Sequence, residues 1–208
     1  MSPAQVVLWR HGQTTWNAEG RWQGHTDIPL SELGGQQVRE AAAVLAEREP
    51  VRLVSSDLVR ASATAGALAL AADLPVALDP RLREVFGGDW QGLRRAEIES
   101  GWPELHAAWL AGEDVPPGGG ERRTAAGARV VAAVEEHAAS LADDEVLVVV
   151  GHGGALGAAL LQLLGLPREA APLLTGLRNA RWTSLLRGTP GSVPWRLLEH
   201  NAGAWAAA

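Results

Sequence analysis

Two histidines in this sequence follow short apolar runs and are flanked by glycine. His11 comes directly after Arg10, at the end of the run at residues 6–9, and His152 follows the run at residues 148–150. Arginine offers a planar fork of donors that matches phosphate oxygens. Histidine offers a nitrogen nucleophile that is largely unprotonated near neutral pH. An apolar strand that ends in Arg-His-Gly is therefore a candidate anion site that also contains a nucleophile.

Further residues with suitable chemistry follow other predicted elements. Arg60 lies near the start of a predicted helix, where backbone N–H groups also favour an anion. Glu84 lies in a glycine-containing loop at residues 81–92, and Asn17 lies in the polar segment at residues 11–30. Cleavage of a phosphate ester needs charge neutralisation, an aligned nucleophile and a proton for the leaving oxygen. The sequence offers candidates for all three.

The composition argues against several other classes of protein. The 208 residues include no lysine, which excludes Walker-type nucleotide binding, Schiff-base chemistry and PLP attachment. With no cysteine, disulfides and thiolate metal sites are impossible, which fits a cytoplasmic location. A formal charge of −6 makes nucleic acid an unfavourable partner. We find no bilayer-spanning stretch and no signal peptide, so we expect a cytoplasmic protein without a membrane partner.

Strand-like and helix-like patterns alternate along the chain. Predicted strands cover residues 5–10, 51–55, 76–78 and 145–150, with two further edge strands at 178–186 and 193–199. Predicted helices cover residues 31–48, 57–71, 94–110 (as one or two short helices), 121–141 and 155–164. Residues 11–30 are predicted to be a loop. This alternation predicts a three-layer α/β/α sandwich with a mostly parallel sheet.

The predicted topology places the polar residues together. In open sheets of this kind, ligands bind beyond the carboxyl ends of the strands. Arg10 and His11 follow the first strand, residues 55–57 the second, and residues 151–152 the later buried strand. We therefore expect these three loops to converge. Neither an internal repeat nor an interdomain linker is apparent, so residues 1–208 are expected to form a single domain.

An ordered series of segments resembles the histidine phosphatase superfamily, the phosphoglycerate mutase-like proteins. The matching segments are residues 10–14, Asn17, 21–27, 30–34, 55–61, 82–84, 88–92 and 151–153. The resemblance implies a phosphoglycerate mutase-like fold and a metal-independent phosphomonoesterase without a cofactor. Together with residues 179–183 and 195–197, the pattern is most similar to actinobacterial glucosyl-3-phosphoglycerate phosphatases. The resemblance implies a small phosphorylated metabolite as substrate, either glucosyl-3-phosphoglycerate or a related sugar or glycerate phosphate.

The resemblance also implies roles for individual residues. His11 would be the nucleophile that forms a phosphohistidine, and Glu84 would be the general acid. His152, Arg10 and Arg60 would bind the phosphoryl oxygens. The remaining substrate contacts would come from Asn17, Gln23, Gly24 and Gly153.

Other functions are open at this stage. A phosphoglycerate mutase is one alternative. The cofactor-dependent mutases look longer, with an inserted segment after the Glu84 block that supplies tyrosine, lysine and arginine contacts to a carboxylate, whereas this chain has neither tyrosine nor lysine. A non-catalytic protein that binds a phosphorylated ligand is a second. A homodimer is also open, through the apolar regions at residues 155–164 and 173–186 or through an exposed strand edge.

Several individual residues have two interpretations. Glu84 could instead pair with Arg81 or Arg83. Arg122 and Arg123 could bind a substrate carboxylate or second phosphate, or point into solvent. Residues 118–120 are interpreted as a flexible connection. Two tryptophans in the site loops, Trp22 and Trp90, could stack on a sugar or fill the core.

Overall fold

Six strands form one sheet in the order β3-β2-β4-β1-β5-β6. The computed structural model describes residues 4–188 and 193–203. The strands are β1 (Gln5–Arg10), β2 (Arg52–Ser55), β3 (Val76–Leu78), β4 (Val146–Gly151), β5 (Trp182–Arg187) and β6 (Trp195–Ala202). Strands β1 to β4 run parallel, whereas β5 and β6 join antiparallel beyond β1. The predicted, mostly parallel sheet is thus confirmed. The predicted segment at 178–186 is not an edge, because β5 lies between β1 and β6.

Helices cover both faces of this sheet. They are α1 (Thr15–Glu19), α2 (Glu32–Ala46), α3 (Val59–Ala72), α4 (Arg95–Gly101), α5 (Pro103–Leu110), α6 (Arg123–Ala138) and α7 (Gly153–Leu163). In β1, Val7 and Trp9 pack with buried residues of α2 and α3, whereas Val6 and Leu8 pack with those of α6 and α7. Successive side chains of a strand point to opposite faces, so one strand supplies both cores. The predicted three-layer α/β/α sandwich is confirmed.

The central strand β4 is buried along its whole length. All six of its residues are buried, and it pairs with β2 on one side and β1 on the other. A strand covered on both faces reads as a continuous apolar run, which is why the valines at residues 148–150 stand together. Fully burying each such side chain contributes about 1.5–3 kcal/mol. The burial of β4 therefore fixes the position of its carboxyl end, which His152 directly follows.

The segment at residues 11–30, predicted to be a loop, contains the short helix α1. Its N-cap residue Thr14 accepts from the backbone N–H of Asn17, and the Asn17 side chain accepts from the backbone N–H of Thr14. This reciprocal capping box satisfies two amides that the helix itself leaves without partners. A helix of five residues is too short to display a hydrophobic period, so apolar spacing does not reveal it. Capping fixes Asn17 in place.

The interpretation of residues 118–120 as a flexible connection is wrong. Gly118 is buried in a short 3-10 helix, Pro117–Gly119, that packs against the backbone of residues 86–90. A Cβ atom at Gly120 would lie 2.0 Å from the carbonyl oxygen of Phe86, and one at Gly88 would lie 2.0 Å from that of Gly118. The glycines therefore permit a close backbone-to-backbone contact.

Candidate active site

Strand pairing places His11 and His152 side by side. Arg10 of β1 is in register with Gly151 of β4, so each histidine is the residue that follows a paired position. Their rings lie 5.1 Å apart, centroid to centroid, and both side chains are almost fully buried. The loops after β1, β2 and β4 thus converge at the carboxyl end of the sheet, as the topology predicts.

The hydrogen bond of His11 determines which nitrogen is nucleophilic. Its Nδ1 lies 2.6 Å from the carbonyl oxygen of Gly12. A carbonyl only accepts, so Nδ1 carries the proton and Nε2 carries the lone pair. Burial, followed by the positive charges of Arg10 and Arg60, holds the pKa of His11 well below its ordinary value. His11 is therefore a neutral imidazole with its nucleophilic nitrogen available near neutral pH.

Two buried arginines lie beside this pair. Arg60, on the first turn of α3, donates through both terminal nitrogens, to the carbonyls of Thr26 at 2.9 Å and Gly24 at 2.7 Å. Arg10 donates to the carbonyl of Leu177 at 2.7 Å. Burial lowers the pKa of Arg60 to about 10, and it lowers the pKa of Arg10 as well. Both remain cations at neutral pH, so the site has a strong positive potential.

Several buried nitrogens of this cluster have no hydrogen-bond partner. Among the described residues they are Nε of Arg10, Nε of Arg60 and Nδ1 of His152. Nε1 of Trp90, in the core, is the only other buried side-chain nitrogen or oxygen in that condition within the described ranges. Buried polar groups are normally satisfied, and unsatisfied ones in a native structure call for an explanation such as a ligand.

The carboxylate of Glu84 is held by the N-terminus of α7. It accepts from the backbone N–H groups of Ala155 at 2.8 Å and Gly154 at 3.1 Å, and from its neighbour Val85 at 2.9 Å. It makes no ion pair with Arg81 or Arg83, which pair with Asp79 and Asp57 respectively. The attraction of Glu84 for Arg10 and Arg60 places it within the same electrostatic site.

Three of the four remaining predicted site residues, Asn17, Gln23 and Gly24, form hydrogen bonds with Asn179, Thr14 and Arg60 respectively. Oδ1 of Asn17 accepts from the backbone N–H of Thr14 and from the amide of Asn179, which leaves its Nδ2 as the available donor. Gln23 is buried, and its Oε1 accepts from the Thr14 hydroxyl at 3.0 Å. Gly24 adopts a φ of +53°, and its carbonyl oxygen accepts a hydrogen bond from Arg60.

Gly153 begins α7 directly after His152. A Cβ atom there would lie 3.2 Å from the guanidinium carbon of Arg10. Glycine thus keeps the first turn of the helix open to the arginine. The first N–H groups of a helix have no partners within it, and they form a ready anion site.

Three residues that the sequence analysis did not select also support the site. The amide of Asn179 donates to the carbonyls of His11 at 3.1 Å and Gly12 at 3.2 Å. Arg129, on α6, holds the backbone on which Glu84 lies. Ser56 lies 2.9 Å from Nε2 of His152. Ser56 follows a strand end and could have been found from the topology, whereas Arg129 gives no signal in the sequence.

The other residues for which the sequence left two interpretations form packing contacts or hydrogen bonds within the protein. Trp90 is fully buried, and Trp22 packs edge-on against it. Arg122 donates to the backbone of Asp114, and Arg123 stacks over Trp109 at 3.4 Å from the ring centroid. Arg122 thus holds the segment that follows α5, and Arg123 holds the end of α5 itself.

The described residues contain no group of three or more histidine, aspartate or glutamate side chains arranged to bind a metal ion. Within the same ranges, no helix combines the length and apolar character needed to cross a membrane.

Comparisons with known proteins agree with this geometry. The family model described as histidine phosphatase superfamily (branch 1) matches residues 6–202. A glucosyl-3-phosphoglycerate phosphatase of Mycolicibacterium vanbaalenii is 41% identical over 100% of this chain and 98% of its own length. Another, from Mycobacterium tuberculosis, is 42% identical over 98% of this chain and 97% of its own. The solved structure of a mycobacterial glucosyl-3-phosphoglycerate phosphatase with VO3 superposes with a TM-score of 0.88 at 43% identity, covering 96% of this chain and 99% of that one. With these phosphatases as relatives along nearly its whole length, the chain is a phosphoric monoester hydrolase that acts through a phosphohistidine, and it belongs to the histidine phosphatase superfamily, branch 1.

Proposed function

We propose that this phosphatase hydrolyses a small sugar or glycerate phosphate, with glucosyl-3-phosphoglycerate as the first candidate, and that it does so as a single domain without a metal ion. The observation that carries the proposal is the set of unpartnered buried nitrogens on Arg10, Arg60 and His152. They surround a neutral, nucleophilic His11. A phosphoryl group supplies the acceptor oxygens that would satisfy them.

The proposed first step is attack by Nε2 of His11 on phosphorus. The N–P bond forms as the ester P–O bond breaks, and Glu84 gives a proton to the leaving oxygen. Arg10, Arg60 and His152 neutralise the charge on the three equatorial oxygens, with Nδ2 of Asn17 and the N–H of Gly153 as further donors. Gln23 and Gly24 are assigned to the wall that positions the substrate.

The proposed second step frees the enzyme. Water attacks the phosphohistidine, the N–P bond breaks, and the carboxylate of Glu84 accepts the proton that water loses. Inorganic phosphate leaves, and His11 returns to its neutral form. The two arginines provide the positive charge for which other phosphatases use metal ions, which supports a metal-independent reaction.

The substrate assignment rests on the relatives. Both curated relatives described above carry the name glucosyl-3-phosphoglycerate phosphatase and align along nearly the whole chain. A phosphoglycerate mutase is the second candidate, because a probable phosphoglycerate mutase of Yersinia pestis is 37% identical over 92% of this chain. A mutase returns the phosphoryl group to the bound molecule, so it releases little inorganic phosphate.

Phosphate release by metal-stripped protein tests the proposal. The substrates are glucosyl-3-phosphoglycerate, 3-phosphoglycerate and p-nitrophenyl phosphate, with His11→Ala as the control. We expect release without added metal, with the highest kcat/KM for glucosyl-3-phosphoglycerate and a loss on the order of 10⁴-fold in His11→Ala. Release that needs added Mg²⁺ would exclude a metal-independent reaction. Interconversion of phosphoglycerates without phosphate release would identify a mutase.

A further inference from the structure

The hydroxyl of Ser56 lies against the second histidine of the site. Ser56 directly follows β2 and is fully buried. Its Oγ lies 2.9 Å from Nε2 of His152. The backbone N–H of Leu58 donates to the same oxygen at 3.3 Å. Ser56 thus links the loop after β2 to the loop after β4.

The number of available protons fixes the direction of this hydrogen bond. A serine hydroxyl has one proton to donate and two lone pairs to accept with. The N–H of Leu58 uses one lone pair. Within residues 4–188 and 193–203, the only other hydrogen-bond contact of the Ser56 hydroxyl is Nε2 of His152, so a proton not donated to Nε2 would be buried without an acceptor. The hydroxyl therefore donates to Nε2, which must carry the lone pair.

The other ring nitrogen of His152 then becomes the donor. The ring is neutral, because burial, followed by the charge of Arg60, holds the pKa of His152 well below its ordinary value. A neutral imidazole has a single ring proton, and with Nε2 accepting, that proton is on Nδ1. Nδ1 is buried and has no partner among the described residues. In the opposite tautomer, Nδ1 would present a lone pair to a phosphoryl oxygen and repel it.

We propose that Ser56 is a positioning residue that holds neutral His152 in its Nδ1–H tautomer, so that His152 donates a hydrogen bond to the transferring phosphoryl group. The inference rests on the proposed function, in which His152 contacts that group. It adds the reason why a histidine that is not protonated can serve there. A hydrogen bond to the second ring nitrogen is a general means of selecting a tautomer.

Nuclear magnetic resonance on the wild-type protein tests the tautomer directly. Two-bond ¹⁵N–¹H correlations in histidine-labelled protein distinguish Nδ1–H from Nε2–H, and His152→Gln assigns the signal. We expect the Nδ1–H pattern for His152 in the wild type and a shift toward Nε2–H in Ser56→Ala. An Nε2–H pattern in the wild type would overturn the proposal, whether or not Ser56→Ala folds.

Kinetics test the consequence for catalysis. Removing one preorganised donor costs about 10²–10³-fold in kcat, and because Ser56→Ala only removes the bias toward the donor tautomer, we expect a smaller loss of about 10-fold in kcat at nearly constant KM. Ser56→Thr, which keeps the hydroxyl, should recover most of it. Ser184→Ala is the matched control, because it removes a fully buried hydroxyl that bonds to Glu199 away from the site. Full kcat in Ser56→Ala, beside an active wild type and an inactive His11→Ala, would overturn the inference and leave the proposed function intact.

Discussion

Glu84 is a carboxylate that interacts electrostatically with both arginines of the site, Arg10 and Arg60. Three backbone amides fix its oxygens, two of them from the first turn of α7. This arrangement fixes the position of the carboxyl group that the proposed mechanism uses to protonate the leaving group. The role of Glu84 therefore depends on how much the leaving oxygen needs a proton.

Replacing Glu84 with glutamine should slow the hydrolysis of different esters unequally. A sugar or glycerate alkoxide is a poor leaving group, so we expect kcat/KM for glucosyl-3-phosphoglycerate to fall by about 10²–10⁴-fold. Nitrophenolate leaves without protonation, so the loss for p-nitrophenyl phosphate should be at least ten times smaller. Steady-state kinetics with both substrates measure the difference.

Glu97→Gln is the matched control for that experiment. Its carboxylate also accepts a backbone N–H, that of Arg94, but it lies on exposed α4. It should leave both activities unchanged. Equal losses for the two substrates in Glu84→Gln would contradict a role as general acid.

Which residues the sequence could reveal depended on where their partners lie. His11 and His152 were recognisable because each adjoins glycine at the end of an apolar run, and Arg10 because it directly precedes His11. Ser56 and Asn179 act through contacts with residues far away in the sequence, and local composition does not report those contacts. For the same reason, the unpartnered nitrogens became visible only in three dimensions.

At the scale of elements, Arg129 fastens helix α6 to the loop that carries Glu84. Its guanidinium donates to the carbonyls of Arg81, Arg83 and Glu84, at 2.6 to 2.8 Å, and pairs with Glu121 at 2.8 Å. One side chain thus satisfies three backbone groups. Lysine could not reproduce this, because only the planar guanidinium presents several fixed donors.

Replacing Arg129 with methionine should loosen that loop. We expect a loss of about 2–4 kcal/mol in the free energy of unfolding, because three carbonyls and one carboxylate lose their donor. We also expect kcat/KM to fall by about tenfold or more, because Glu84 is no longer held in register with the site. Urea denaturation and steady-state kinetics measure the two effects. Arg39→Met, at an exposed position on α2, should change neither; a stable, fully active Arg129→Met would contradict the fastening role.

The close contact at Gly120 makes a second element-scale prediction. Gly120→Ala places a Cβ atom 2.0 Å from the Phe86 carbonyl oxygen, so the loop after Glu84 must move, at a cost of about 1–3 kcal/mol or more. We expect a lower Tm and a lower kcat/KM. Gly119→Ala meets no atom within 4 Å and should cost only the roughly 1–2 kcal/mol of its φ of +73°. Equal Tm losses in the two variants would show that backbone conformation, and not packing, governs this loop.

Elements with strong periodicity or long apolar runs could be predicted from the sequence. Strand β1 was predicted with its observed bounds, Gln5–Arg10, and β4 within one residue at each end. Helix α1 was not predicted, because tertiary contacts and its capping box, and not an apolar face, stabilise it. The position of β5 inside the sheet depends on its pairing with β1, which strand propensity does not encode.

For the whole molecule, two buried neutral histidines couple stability to pH. The pKa values of His11 and His152 are both held well below the ordinary value of about 6.5, first of all by burial. In the unfolded chain they take up protons near that value, and in the folded chain they do not. Stability is therefore complete above about pH 6.5 and falls as the pH decreases below it.

Urea denaturation between about pH 7 and about pH 5 should show this loss, at about 1.4 kcal/mol per pH unit for each histidine. The acidic groups with lowered pKa values, such as Asp79 at about 2, lose their contribution only at lower pH. His152→Gln should lower the dependence of the free energy of unfolding on pH by the contribution of one histidine, about 1.4 kcal/mol per pH unit. Above about pH 7 the free energies of unfolding of the wild type and the variant should change with pH in the same way. Identical slopes below about pH 6 would contradict a neutral His152 in the folded state.

The same register that aligns Arg10 with Gly151 has a consequence for biosynthesis and refolding. The ribosome makes His11, the proposed nucleophile, before α6, and His152 emerges only after α6 has been completed. Contacts between such distant segments form late, because the loop between them must first be closed. A nascent chain thus carries His11 without His152 beside it until β4 pairs with β1. During refolding, the return of phosphatase activity should report the docking of β1 on β4, and not the earlier formation of helices.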